Sequence, residues 1–248
     1  MRLVNARFGK VVSTGSLIFL VAVAVVVLLA ALVQAASADE VGQGRLRVKL
    51  TTSGSEILVM SWQGPVAAPM AAQISDAFEA RKGHATRVVL ILDSGGGSVA
   101  EGERVIDVLG RIKQTHQLMT AVDHGQKCGS MCVFIFVQGH ERVGALTSAW
   151  LFHEVSRLDP NTKQITMLNR PRWEHLIDKY FRPAGISEAW IADMKQYTFE
   201  SDYWQTGADL IQSSSGIINK SLGNQRPRFV VPPTAGRSAS APLVSGQP

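Results

Sequence analysis

Residues 86–102 read TRVVLILDSGGGSVAEG, an unbroken run of β-branched and leucine side chains that ends in three glycines. An apolar run of that length without alternation is the pattern of a strand buried on both faces, as in a parallel sheet covered by other layers. A parallel strand has to be followed by a crossover, and the glycines stand where one would begin. Beyond them Val99, Val105, Ile106, Leu109 and Ile112 fall on one face of a helix, and LMTAVD (118–123) reads as the next strand. This βαβ rhythm commits the chain to an α/β fold, a parallel sheet with right-handed crossovers and helices covering it.

The alternation continues on both sides. LRVKL (46–50) and EILVMSW (56–62) predict strands, and Pro69 to Arg81 (PMAAQISDAFEAR) has apolar residues at helical spacing. Further on, helices are expected near 164–180 and 187–197, followed by a short strand, GIIN (216–219). There is no internal repeat of fixed period. Of the 248 residues 46% are hydrophobic and 18% charged, an ordinary globular balance that supports one sizeable core over 46–222.

The two ends have a different composition. Arg2, Arg7 and Lys10 precede a charge-free stretch, SLIFLVAVAVVVLLAALV (16–33), which is followed by Ala36-Ser37-Ala38 and then Asp39-Glu40. Basic flank, apolar core and small-x-small site together predict an export signal over 1–38, cleaved after Ala38 or retained as a membrane tether through residues 16–36. The remainder, with a linker at 39–45, is then exported while the basic flank stays cytoplasmic. Taking the three basic residues of the flank from the formal charge of +5 leaves 5 − 3 = +2, so no nucleic-acid partner is implied. Residues 223–248 are rich in Pro, Ser, Ala and Gly and read as a flexible tail.

Three glycines at a strand-to-helix turn permit positive φ and expose backbone N–H groups to a ligand. Gly95, Gly97 and Ala100 satisfy the G-x-G-x-x-A dinucleotide fingerprint, with Asp123 as a ribose ligand. Gly96 and Gly97 equally suit an oxyanion hole for acyl transfer. A tight turn with no ligand is the plainest alternative. Dinucleotides are scarce outside the cytoplasm, which favours acyl transfer, and no cofactor is expected.

In KCGSMCVFIF (127–136) Ser130 opens an apolar segment that predicts a buried helix. Its hydroxyl is either a helix cap or a nucleophile with the Met131 N–H beside it. His153, at the end of the strand-like AWLFHE, is the candidate base; His124 and His140 are weaker rivals in turn-like surroundings. Asp202, in ESDYWQTGADLI, is the candidate acid that orients the base, or else a surface carboxylate. Cys128 and Cys132 are the only cysteines, and in an exported chain their spacing permits a disulfide around Ser130. His124, Cys128 and Cys132 recur every four residues, but Gly125 and Gly129 make a continuous metal-binding helix unfavourable, so no metal is expected.

These stretches, taken in order, resemble the proteolytic subunit of the Clp protease and the wider crotonase-like superfamily. LDSGGGSVAEG is similar to that family's glycine turn, CGSMC to its nucleophile segment, WLFHE to its histidine strand, and DYWQTGADLIQSSSGIIN to its closing aspartate unit. The match covers about residues 56–219, with GPV (64–66) at the first βα turn. The resemblance implies a repeated ββα superhelix and a serine peptidase. The N-terminal signal and the lack of a recognisable ATPase-docking feature depart from the ATPase-fed chamber of that family. They look more like an ATP-independent, exported bacterial member of the superfamily, in the periplasm or on the extracytoplasmic face of the inner membrane. Ser130 would be nucleophile, His153 base and Asp202 orienting acid, with Gly97 and Met131 giving the oxyanion N–H groups and Gly96 beside them. It also implies a peptide or protein substrate and a homo-oligomer. Gly95 and Asp93 replace the family's proline and asparagine, and the two cysteines replace small residues. Lys127 keeps a serine-lysine pair open, and a catalytically inactive interaction module on the same fold is the alternative from another class.

Overall fold

The computed structural model describes residues 44–51, 56–158, 162, 165–198 and 201–222. The predicted export segment, most of the linker and the tail lie outside the described residues. No described helix is long and apolar enough to cross a membrane.

The glycine turn leaves the C-terminal end of strand β3 (Arg87–Asp93), whose five middle residues are all buried. β3 pairs in parallel with β2 (Ile57–Gln63) on one side and β4 (Gln117–Val122) on the other. Beyond β4 come β6 (Glu141–Gly144) and the two-residue β11 (Lys220–Ser221), both parallel, while β1 (Arg45–Thr51) closes the other edge antiparallel to β2. Side chains alternate across this six-stranded sheet. Leu58, Met60 and Trp62 of β2 and Val88, Leu90 and Leu92 of β3 enter the main core. Val59, Val89, Ile91, Ala121 and Val143 form a smaller apolar cluster on the other face, to which no described helix contributes.

The helices pack into the main core: α1 (Met70–Glu79), α2 (Val99–Lys113), α3 (Met131–Phe136), α4 (Arg170–Leu176) and α5 (Glu188–Tyr197). Helix α1 has no side-chain cap of its own at Pro69. Instead the buried Glu101 of α2 accepts the Ala71 N–H at 2.8 Å, with its other oxygen held by Arg104. Ser98 caps α2 by accepting the Glu101 N–H at 3.2 Å. The two helices are thus locked to each other through one carboxylate.

A second layer carries the site. β5 (Lys127–Gly129), β7 (Ala149–Phe152) and β10 (Tyr203–Thr206) form a three-stranded sheet in the order β10-β7-β5. Single bridges from Ser94 to Cys128 and from Val66 to Gly97 extend it. The chain therefore rises from β2, β3 and β4 into this layer and then returns as α1, α2 and α3.

Three sequence expectations need correction. The stretch AVDHGQKCG before Ser130 reads in sequence as a strand followed by a turn, but its last residues, Lys127–Gly129, form β5. The helix expected over 164–180 begins only at Arg170, because Ile165–Leu168 form β9, the partner of β8 (Ser156–Leu158). Asn169 then accepts the Arg172 N–H and starts α4, which continues as a π turn over Ile177–Phe181. The strand expected at GIIN is also displaced: Gly216 has φ 81°, and the Arg142 guanidinium takes the carbonyls of Gly216 and Ile217 at 2.8 and 3.0 Å. With those carbonyls bound to a side chain, strand pairing starts only at Lys220.

Candidate active site

Ser130 joins the end of β5 to the start of α3 with φ 51° and ψ −125°. For a residue with a Cβ this costs about 1–3 kcal/mol, so the surroundings have to impose it. On the strand side the Gly129 N–H donates to Ser94 O at 2.9 Å and the Ser130 N–H to Leu151 O at 2.8 Å. On the helix side the Val133 N–H donates to Ser130 O at 3.0 Å. Cys128 and Cys132 are joined across Ser130, with Cα atoms 5.3 Å apart. An ordinary serine cap has extended backbone and accepts from the first helical turn. Ser130 has neither property: its side chain makes no capping hydrogen bond.

A cavity of about 370 Å³ opens beside it, lined on its polar side by Gly95, Gly96, Gly97, Ser130, Met131 and His153. The glycine turn is forced close to the serine. Gly96 has φ 102°, and its N–H donates to Ser94 Oγ at 3.2 Å. Gly97 has φ 150°, and a Cβ there would lie 2.4 Å from Val66 O. The Val66 bridge uses the Gly96 carbonyl and the Ser98 N–H, both at 2.8 Å. That leaves the N–H groups of Gly97 and Met131 with no acceptor among the described residues. These two amides border the same cavity as the Ser130 hydroxyl.

His153 follows β7 and is half-buried. Its Nδ1 lies 2.7 Å from Glu154 O. A carbonyl only accepts, so the proton of the neutral ring sits on Nδ1 and Nε2 keeps its lone pair. The Glu154 side chain is buried and paired with Arg170 at 2.7 Å, which anchors that stretch of backbone. Among the described residues the Ser130 hydroxyl has no hydrogen-bond partner, so Ser130 and His153 share the cavity without a direct bond.

Asp202 immediately precedes β10 and His153 immediately follows β7, each next to the last registered pair of that ladder, Tyr203 with Phe152. Both residues line a second cavity of about 360 Å³. Asp202 is exposed, and its carboxylate makes no hydrogen bond among the described residues. The orienting contact to Nδ1 thus comes from the Glu154 backbone, a partner that no side-chain pattern announces.

The rival residues stand elsewhere. His140 Nδ1 accepts the Leu118 N–H at 3.1 Å, and His124 Nδ1 is 3.0 Å from Thr147 Oγ1. Neither these nor Lys127 line the cavity of Ser130. Both cysteines are consumed by the disulfide, and no cluster of metal-ligating side chains occurs among the described residues. Asp123, the ribose ligand of the dinucleotide reading, lines a hollow with Ile91 and Val143 on the opposite face of the large sheet. It therefore does not meet the glycine turn.

Sequence reasoning missed the apolar wall of the cavity. Val99 and Phe134 follow the glycines and the serine on their own helices, whereas Val155, Trp173 and Leu176 arrive from a later part of the chain. Trp173 packs edge-on against Phe134 with ring centroids 5.5 Å apart. Val99, directly after the glycines, and Phe134, one helical turn beyond Ser130, had a local signal in the sequence; Val155, Trp173 and Leu176 had none.

No family model and no curated protein matches the chain. Among solved structures it is similar to a point mutant of ClpP1 from Listeria monocytogenes, with a TM-score of 0.52 and 14% sequence identity. The alignment covers 67% of this chain and 92% of that one. At that identity the likeness is one of fold: the described residues adopt a ClpP-like α/β fold.

Proposed function

We propose that the chain is a serine hydrolase acting on peptide bonds, with Ser130 as nucleophile, His153 as general base and the N–H groups of Gly97 and Met131 as the oxyanion hole. The observation that carries this reading is the left-handed backbone of Ser130, which sets its hydroxyl beside two unpaired amides in a cavity shared with a histidine whose Nε2 is free to accept. A strained serine at a strand-to-helix turn is the arrangement by which hydrolases expose a nucleophile.

The reaction follows from these positions. The Ser130 oxygen attacks the acyl carbon while its proton passes to His153 Nε2. The carbonyl oxygen becomes an oxyanion and accepts from Gly97 and Met131; removal of one such donor costs about 10²–10³ in rate in comparable sites. His153 then gives its proton to the departing amine, and water attacking the acyl-enzyme completes the cycle with the same residue as base. Substrate binding draws Ser130 and His153 into hydrogen-bond contact, as resting sites are commonly looser than reacting ones. Asp202 stabilises the imidazolium from across the β7–β10 ladder.

The finer fold reading belongs to the same proposal: successive strand, short second-layer strand and helix units form a crotonase-like ββα superhelix. The catalytic domain acts after export, tethered through residues 16–36 or released, without an ATPase, and assembles as a homo-oligomer. The test is reaction of the full chain with a fluorophosphonate. The expected result is a covalent adduct on Ser130 in wild type and none in Ser130→Ala. Equal labelling of the two overturns the nucleophile, and no labelling of either favours the non-catalytic module.

A further inference from the structure

We propose that the Cys128–Cys132 disulfide is a positioning device that holds the Ser130 hydroxyl and the Met131 N–H in register, so that its oxidation state sets the rate of acylation. The proposal rests on the reading of Ser130 as nucleophile.

The cross-link spans four positions and encloses only Gly129, Ser130 and Met131. Two of these carry the proposed chemistry, and Ser130 has the left-handed φ of 51° that an L-residue leaves unless held. Each end of the cross-link is tied to a different layer. Cys128 belongs to β5 and is bridged to Ser94, the residue that opens the glycine turn. Cys132 belongs to α3, whose first residue, Met131, lies so close to Gly102 of α2 that an added Cβ there would be 2.3 Å from Met131 Cγ. The disulfide therefore joins the second-layer sheet to the helix layer across the one strained residue between them.

Burial makes the clamp specific. Both cysteines are 0% exposed, inside the main core. A dithiol reductant breaks the S–S bond by transferring two electrons and two protons; the dithiol becomes a disulfide and the two cysteines become thiols. Two thiols need more room than the bonded pair, and a filled core supplies it only by moving β5 and α3 apart. That movement relaxes Ser130 and turns the Met131 N–H away from the oxyanion position. A loop this short removes less unfolded-state entropy than a long one, so the effect falls on site geometry more than on global stability.

The experiment compares the oxidised full chain with Cys128→Ala/Cys132→Ala, and with wild type unfolded in urea, reduced by dithiothreitol and refolded with the reductant present, since the buried S–S bond is closed to a dithiol in the folded state. Two readouts are taken: fluorophosphonate inactivation kinetics, and amide hydrogen exchange over 127–136. The proposal expects kinact to fall about ten- to a hundredfold, the scale of an ångström of misplacement, while KI changes less than about twofold. It also expects faster exchange at Ser130 and Val133, whose N–H groups are bonded to Leu151 O and Ser130 O, and recovery of kinact on reoxidation of wild type. Unchanged kinact and unchanged exchange overturn it, as does a fall in KI affinity with kinact preserved. If wild type takes no label, the nucleophile reading fails, and exchange alone then decides whether the disulfide holds the segment. If the double variant does not fold, the reduced and reoxidised wild type gives the same comparison.

Discussion

Gly96 and Ser130 approach so closely that a Cβ on Gly96 would lie 2.6 Å from the Cβ of Ser130 and 2.7 Å from the carbonyl of Gly129. The contact is between two backbones, and neither has a flexible side chain that can give way. Gly96 also has φ 102°, which an alanine resists. Gly96→Ala is expected to lower the fluorophosphonate labelling rate by about a hundredfold or more through displacement of the nucleophile. Labelling kinetics measured beside a thermal melt check this, since the folded variant should still be unreactive.

The base and the carboxylate assigned to it differ in expected effect. Removal of the ring in His153→Ala should cost about 10²–10⁴ in labelling rate, the usual range for a general base. Asp202→Asn should cost less, about tenfold, because in the resting site Nδ1 is already held by Glu154 O at 2.7 Å. A larger loss for Asp202→Asn than for His153→Ala would reverse the roles assigned to them.

Glu101 is a structural carboxylate close to the site. It is 2% exposed and caps α1 from α2 through the Ala71 N–H. Glu101→Ala leaves that donor buried without a partner and should destabilise the fold by about 1–3 kcal/mol in urea unfolding. Glu101→Gln keeps an acceptor and loses only the pairing with the largely exposed Arg104, so it should cost less than half as much.

Asp209 provides a pH-dependent cap. Its carboxylate accepts the Thr206 N–H at 2.8 Å and the Thr206 hydroxyl at 2.7 Å, a capping box at the start of α6 (Gly207–Gln212). The Thr206 backbone bond, then the hydroxyl bond, hold its pKa below the ordinary aspartate value. A depressed carboxylate contributes stability above its unfolded pKa and loses it as pH falls through the folded one. Asp209→Ala is therefore expected to cost about 0.5–1 kcal/mol at pH 7, modest because the cap is exposed, and the gap to wild type should narrow below about pH 4. Paired urea titrations at pH 7 and pH 3 measure it.

Much of this arrangement was legible where the signal is local. The run from Arg87 to Asp93, the glycines after it, the apolar face of α2 and the strand that leads into His153 all announce themselves through period and composition. Ser130 and His153 could be singled out because each stands at the boundary of such an element. The Glu154 carbonyl could not, since every residue has one and only the fold selects it. The hairpin at Ile165–Leu168 was misread for a related reason: its few apolar residues fit a helix extension as well as a strand until the Asn169 cap is seen. Trp173 and Leu176 reach the cavity by tertiary packing over some forty positions, and no spacing rule encodes that.

The most direct test of the central claim is a crystal structure of the full chain after reaction with a fluorophosphonate. The account predicts phosphorus bonded to Ser130 Oγ, with the phosphonyl oxygen about 2.7–3.1 Å from the amide nitrogens of both Gly97 and Met131. An adduct on another residue, or a phosphonyl oxygen turned away from both amides, would contradict it.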